Sequence, residues 1–364
     1  MMSILIVSFL VSAIGTLLVI RASRGLPHLS HDHDLSGPQK FHASPVPRVG
    51  GVGVVLGVVA VASLQALRDP ASRPLLLVVI CCSMPTFLSG LFEDFFKNVS
   101  PSRRLVFTVI SAALAAWFAG AVIDRIGFDC LEWMFAVPAI AVLLTVFAVS
   151  GVTNAVNIID GFNGLASMCV VMMMAASAVV AFRVGDVEVG GMALACIGAV
   201  LGFFVWNFPR GLVFLGDGGA YFLGFMVCQV TLLLIHRNRS VSPMFPLVVC
   251  VYPIFETLFS IYRKKVIRKM SPGVPDGVHL HMLVYKRLMP RGADRATAAA
   301  KTLRNSMTSP YLWALCLVSV VPAVVFWDRT AVLGWCLVAF GVLYTFLYWR
   351  IVRFRVPRWM RAGA

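Results

Sequence analysis

Asn154-Ala-Val-Asn157-Ile-Ile-Asp160-Gly161-Phe-Asn163-Gly164-Leu165 gathers three amides, one carboxylate and two glycines into one short stretch. Apolar runs at roughly 134–150 and 164–182 flank it. Each is close to the ~20 residues a helix needs to cross about 30 Å of hydrocarbon. An ionised Asp inside a span costs roughly 2.5–3.5 kcal/mol on insertion scales, and less near an interface. So dense a polar cluster belongs at a membrane boundary, and it predicts a site for something polar or ionic.

The same alternation extends in both directions. Apolar segments lie at roughly 2–20, 49–67, 75–92, 105–123, 134–150, 164–182, 190–208, 218–235, 243–261, 308–327 and 331–349. The chain is 59% hydrophobic and 13% charged, with a mean hydropathy of +0.87, which excludes an ordinary water-soluble fold. The expected fold is all-α: one polytopic membrane domain over residues 1–364 with about 11 transmembrane helices. The first segment has neither a basic flank nor a small-residue cleavage site, so it reads as a retained helix.

Charge predicts the orientation. Loops 21–48, 93–104, 151–163, 209–217 and 262–307, with the tail 350–364, hold 24 of the 31 Lys and Arg residues. The positive-inside rule puts these in the cytoplasm, with the N-terminus out and the C-terminus in. The opposite loops carry 7 acidic against 7 basic residues. Most cations are explained by topology alone; attraction of anionic membrane lipids and anionic substrates is the functional reading. No soluble basic domain exists that could bind nucleic acid. Eight of the nine cysteines fall in the apolar segments and no CxxC pair occurs, so neither zinc nor a disulfide framework is expected. Residues 294–306 favour helix and predict a short surface helix before the tenth span.

With this topology the polar motifs all face the cytoplasm. Lys40-Phe-His42-Ala-Ser-Pro45-Val-Pro47-Arg48-Val-Gly50-Gly51 enters the second span, and Lys40 and Arg48 are candidates to hold phosphate oxygens. Glu93-Asp94-Phe-Phe-Lys97 ends the third, ahead of Arg103 and Arg104; adjacent carboxylates stay ionised only near cations or a metal. Asn154, Asn157 and Asp160 recur every third residue, near one helix face. Phe214-Leu-Gly216-Asp217-Gly218-Gly219 sets a carboxylate among glycines, which suits a hard cation such as Mg²⁺. His279 and His281 are separated by one residue, and Glu256 lies near the cytoplasmic end of the ninth segment, within reach of Arg263 and Lys264.

Taken in order, these motifs resemble the polyprenyl-phosphate N-acetylhexosamine-1-phosphate transferase family, from about Lys40 to Arg287. The eleven-span, N-out arrangement matches its GlcNAc-1-phosphate branch. The chain departs from the family pattern at Glu93, usually Asp; at Asn163, usually Asp; at Met282, where a third histidine is usual; and at Glu256, often Asp. The resemblance implies that a lipid phosphate, undecaprenyl phosphate, attacks the β-phosphorus of a UDP-N-acetylhexosamine and releases UMP. It implies Mg²⁺, with Mn²⁺ as a substitute, on Asp217 and Asp160, with Asp94 nearby. Glu93 or Asp94 would deprotonate or position the lipid phosphate. Lys97, Arg104, His279 and His281 would hold diphosphate oxygens, and Asn154, Asn157 and Asn163 would contact the nucleotide-sugar. The implied location is the bacterial inner membrane with the site on the cytoplasmic face, with a homodimer as the candidate assembly. A secondary transporter of anionic solutes is the rival; it predicts broken helices or ionisable groups at the bilayer midplane, usually with a repeat, whereas here the acids lie at cytoplasmic ends and no repeat appears.

Overall fold

The apolar runs fold as helices in a computed structural model of the chain, which describes residues 1–23, 46–68, 74–271, 277–289 and 297–353. In chain order the helices are α1 (Met2–Ser23), α2 (Gly51–Arg68), α3 (Leu75–Phe96), α4 (Pro101–Phe118), α5 (Asp129–Phe135), α6 (Pro138–Ile158) and α7 (Leu165–Arg183). They continue with α8 (Val187–Asn207), α9 (Gly216–Arg237), α10 (Phe245–Val249), α11 (Val251–Tyr262), α12 (Leu280–Arg287), α13 (Ala298–Val325) and α14 (Thr330–Val352). No strand occurs among the described residues. The protein is an all-α, multi-pass membrane protein.

Among the described residues, nine helices are long and apolar enough to cross a bilayer: α1, α2, α3, α6, α7, α8, α9, α13 and α14. The other two expected spans differ. Segment 105–123 is the 18-residue α4, which starts at Pro101 behind a Ser100 cap and so takes Arg103 and Arg104 into its first turn. Segment 243–261 is not one helix but two, α10 and α11, joined at Cys250. Pro253 explains the break, because it has no N–H to give the carbonyl four residues back. The helix expected near 294–306 is likewise not separate. Residues from Ala298 onward, capped by Thr297, are the first turns of the 28-residue α13.

The outer helices are inverted relative to those of a water-soluble bundle. α1 buries Ser8, Ser12, Gly15 and Thr16 while exposing Ile6, Leu10, Ile14 and Leu18. Lipid solvates the apolar face, and small residues let backbones approach. A Cβ on Gly57 of α2 would stand 2.6 Å from the Ser8 carbonyl oxygen, and one on Gly202 of α8 2.4 Å from that of Phe9. The Ser12 hydroxyl donates to the Ala199 carbonyl at 2.6 Å, tying α1 to α8.

α9 is the central post. Its apolar length is wholly buried, packed by α2, α3, α6 and α7. Its N-terminal end meets the C-terminal ends of α3 and α6 and the start of α4, so their polar termini share one face. At its other end Arg125 donates to the Ile235 and Val241 carbonyls, the second at 2.6 Å, and Arg237 pairs with Asp186 at 3.0 Å. The two polar faces lie at opposite ends of the bundle.

Candidate active site

The site forms where three backbones nearly touch. A Cβ on Gly51 would lie 2.3 Å from Gly219 Cα, and one on Gly90 would lie 2.6 Å from Gly218 N. Gly216 has φ +77°, and a side chain there would strike the Arg48 carbonyl oxygen. The glycines around Asp217 thus let α2, α3 and α9 close together. Main-chain bonds lock the entry to α2 onto this junction: Gly50 N–H donates to Phe214 O at 2.9 Å, Gly51 N–H to Leu215 O at 2.8 Å and Phe214 N–H to Pro47 O at 2.8 Å. Arg48 is fixed over the junction by that pairing.

Asp94, at the end of α3, caps α9 from outside its chain segment. Its two oxygens accept the Asp217 and Gly218 N–H groups, each at 2.9 Å. The start of α9 has unsatisfied donors and a positive dipole end, so a buried carboxylate is stabilised there. Arg48 Nε stands 3.8 Å from the same carboxylate. Asp217 then projects from the first turn of α9 and collects three partners. Arg48 reaches its Oδ1 at 3.3 Å, Asn157 donates to Oδ1 at 3.1 Å, and Arg104 pairs with Oδ2. Arg104 also lies over the Tyr221 ring, 5.9 Å from its centroid, and the Tyr221 hydroxyl donates to the Asn154 side-chain oxygen at 3.2 Å.

Asp160 follows the end of α6 and is half-buried beside this group. Burial pushes its carboxyl up to about 7; the Arg48 guanidinium pulls it down, and the Asp217 charge adds to the rise. Asp160 and Asp217 are hard oxygen donors close enough to repel, and guanidiniums already offset their charge. That donor chemistry fits a Mg²⁺ ion.

A second cluster stands behind the Asp160 loop. His281 Nδ1 lies 3.0 Å and His279 Nδ1 3.5 Å from Glu256 Oε1, with the rings stacked at 5.2 Å between centroids. The Leu280 N–H donates to the same oxygen at 2.7 Å, and the Tyr344 hydroxyl donates to Oε2 at 2.8 Å. The sequence puts Glu256 within reach of Arg263 and Lys264. Arg263 donates to the Val278 carbonyl at 2.8 Å and to the Tyr348 hydroxyl at 3.1 Å. Ligand atoms of Glu256, His279 and His281 all lie within 4.8 Å of one another, close enough for a metal ion. Imidazoles are poor ligands for Mg²⁺, and these spacings are those of an ion pair between the carboxylate and the two rings.

The remaining candidates sit at the margins. Glu93 Oε2 accepts the Val99 N–H at 2.7 Å and so shapes the α3–α4 turn. Lys97 ends α3 in a left-handed conformation, φ 51°, and is exposed. Asn163 is turned to α13: its N–H donates to Asn305 Oδ1 at 2.8 Å, its amide to Ser306 Oγ at 3.1 Å, and its carbonyl accepts from Ser309 at 2.6 Å. Lys40 lies outside the described residues. The structure thus gathers Arg48, Asp94, Arg104, Asn157, Asp160 and Asp217, keeps Asn154 one contact away through Tyr221, and sets the histidines behind Gly161. Sequence reasoning missed Tyr221, although its place one turn after Asp217 was a signal. It also missed Tyr344, which lies in an apolar run and gave none.

Comparison with protein families matches residues 76–235 to glycosyl transferase family 4. That stretch holds Glu93 through Asp217 and stops short of Glu256 and the histidines. Among similar proteins, a probable undecaprenyl-phosphate N-acetylglucosaminyl 1-phosphate transferase of Bacillus subtilis is 27% identical over 278 residues, 76% of each chain. An undecaprenyl-phosphate alpha-N-acetylglucosaminyl 1-phosphate transferase of Thermotoga maritima is 28% identical over 255 residues, 70% of this chain and 73% of the relative. The protein of that name from Escherichia coli K12 is 25% identical over 338 residues, 89% of this chain and 86% of the relative. A bundle of apolar helices with the motif acids drawn to one end is thus similar in sequence, from α3 to α9, to glycosyl transferase family 4.

Proposed function

We propose that the protein transfers N-acetylhexosamine-1-phosphate from a UDP-sugar to undecaprenyl phosphate, releasing UMP and starting a lipid-linked glycan. The observation that carries this reading is the junction of Asp217 with Arg48, Arg104 and Asn157 at a membrane-helix end, beside Asp160. Both reactants are anionic, so their approach needs cationic and hydrogen-bonding groups arranged in advance. The relatives described above are named for the transfer of N-acetylglucosaminyl 1-phosphate with undecaprenyl phosphate, which supports the acceptor and the transferred group of this reading. The excess of Lys and Arg in loops on this side supports a cytoplasmic site in the bacterial inner membrane, with the N-terminus outside.

In this reading Asp217 and Asp160 hold Mg²⁺, which supplies charge neutralisation at the diphosphate. Arg48 and Arg104 have two roles. They neutralise Asp217 in the protein alone, and they pass to phosphate oxygens when a diphosphate enters. Asp94 holds the start of α9, and with it Asp217, in place. A phosphate monoester has its second pKa near 6, so the lipid phosphate is already largely dianionic at neutral pH. Glu93 and Asp94, whose carboxylate oxygens accept main-chain N–H groups, are therefore not required as strong bases. Asn157 orients Asp217, and Asn154 is held through Tyr221.

A transporter would share one feature, the broken α10–α11 segment. The acid that segment carries, Glu256, is held by α12 and α14, while Asp94, Asp160 and Asp217 stand at the N-terminal end of α9. The test is incubation of membranes with undecaprenyl phosphate, Mg²⁺ and a panel of UDP-sugars carrying GlcNAc, GalNAc, FucNAc or QuiNAc. UMP release that depends on both substrates is expected. Absence of release with every sugar would overturn the reading.

A further inference from the structure

We propose that Glu256 is a positioning residue for the transfer step: it grips His279 and His281 by Nδ1 and turns the Nε2 edge of His281 toward the Asp160 loop. This rests on the transferase reading and assigns a role to a residue remote from the acid cluster.

Glu256 is 1% exposed, and a buried carboxylate persists only when its oxygens are taken. Oε1 gathers the Leu280 N–H at 2.7 Å, His281 Nδ1 at 3.0 Å and His279 Nδ1 at 3.5 Å. Oε2 is fixed by the Tyr344 hydroxyl at 2.8 Å, and the Tyr344 ring is itself wedged against Phe255 and Phe259, at 5.1 and 5.5 Å between centroids. A purely structural tie between α11, α12 and α14 would need only the Leu280 amide and Tyr344. Gathering both imidazoles on the same oxygen does something more: it fixes which ring nitrogen faces inward on each.

The two rings are not equivalent. His279 Nε2 lies 3.4 Å from Ser260 Oγ, on the same helix as Glu256, so this ring is held from both sides. His281 points the other way. Its Nε2 and Cδ2 each lie 3.5 Å from where a Cβ on Gly161 would stand, and its ring meets Phe162 edge-on at 5.8 Å. Gly161 directly follows Asp160. A ring whose Nδ1 faces a carboxylate at 3.0 Å presents Nε2 as an acceptor when neutral and as a donor when protonated. In either state Glu256 sets the direction of that edge. His279 and Tyr344 are then braces, and His281 is the member that reaches the site.

The test is steady-state kinetics of UMP release by the full-length protein, with the UDP-sugar varied. The variants are Glu256→Gln, Glu256→Asp, His281→Ala and the double variant Glu256→Gln/His281→Ala. If positioning is the role, Glu256→Gln lowers kcat by about 100-fold, the scale of an ångström-sized misplacement, with KM changed much less. Glu256→Asp recovers part of the rate. In the His281→Ala background Glu256→Gln has little further effect, because the group it directs is gone. An equal fold-loss in both backgrounds, or full activity of Glu256→Gln, overturns the proposal. Should Glu256→Gln fail to accumulate, Tyr344→Phe goes through the same cycle, where a loss that persists undiminished without His281 overturns it. Wild-type protein that releases no UMP with any sugar defeats the transferase reading itself, which separates the two failures.

Discussion

Asp94→Asn tests how the site is assembled. Asp94 is buried, and its carboxylate accepts the Asp217 and Gly218 N–H groups at 2.9 Å each, with Arg48 Nε at 3.8 Å. The substitution keeps one oxygen and turns an NH₂ toward the other amide donor. A hydrogen bond to a charged group contributes about 1.5–3 kcal/mol. Loss of the anion at the start of α9 adds roughly 0.3–1 kcal/mol. The variant is therefore expected to be less stable by about 2–4 kcal/mol. Asp217 should shift with the first turn of α9, and a shift near 1 Å lowers turnover by about 100-fold. Two measurements on the full-length protein in detergent decide it: the thermal unfolding midpoint and UMP release. Both should fall together. A variant that melts like wild type but has lost UMP release would refute the capping argument, because the charge would then be spent on substrate. A variant unchanged in both would remove Asp94 from the account altogether.

Asp217→Asn removes the charge that collects Arg48 and Arg104, and UMP release across a Mg²⁺ titration should fall at least about 100-fold; near-normal release would sink the assignment. Gly90→Ala would set a Cβ 2.6 Å from the Gly218 nitrogen, a backbone atom that cannot yield, and overpacking of this kind costs about 1–3 kcal/mol. Its melting point and activity should both drop, while Gly151→Ala, with nothing within 4 Å of the new methyl, should change neither. Asp160 holds its proton up to about pH 7 in the folded chain, against about 4 when unfolded. In EDTA-treated protein its contribution to stability is full below about pH 4 and is lost as pH rises through about 7. The melting point of wild type relative to Asp160→Asn should therefore fall over that range, and a pH-independent difference would refute the burial argument.

The spans were legible because hydrocarbon thickness demands an apolar run of one length, and hydropathy alone detects it. It does not detect backbone continuity. Segment 243–261 is apolar but for Glu256, Thr257 and Ser260, yet Pro253 withholds an N–H from the preceding turn and the helix breaks at Cys250. The residue needed to foresee this was in view, but a count of apolar residues gives it no weight. The start of α13 was misread for the converse reason. Alanines and lysine mark a helix, but nothing local says that it runs unbroken into the next span.

The candidate site was legible as a set of acids closing apolar runs, but not as a division of labour. Asp94 and Asp217 look alike in sequence, each an acid at a helix terminus, and burial separates them. The Asp94 side chain is 1% exposed and occupied by main-chain amides, whereas that of Asp217 is 14% exposed and faces side chains. That difference depends on how deeply the end of α3 docks against the start of α9, 123 residues away in the chain. The docking depth is set by Gly90 and Gly218, whose missing side chains let the two backbones meet. Glycines beside an acid were read as room for a cation. Their geometry makes them contact points between helices, and only through those contacts do they determine where the Asp217 carboxylate stands.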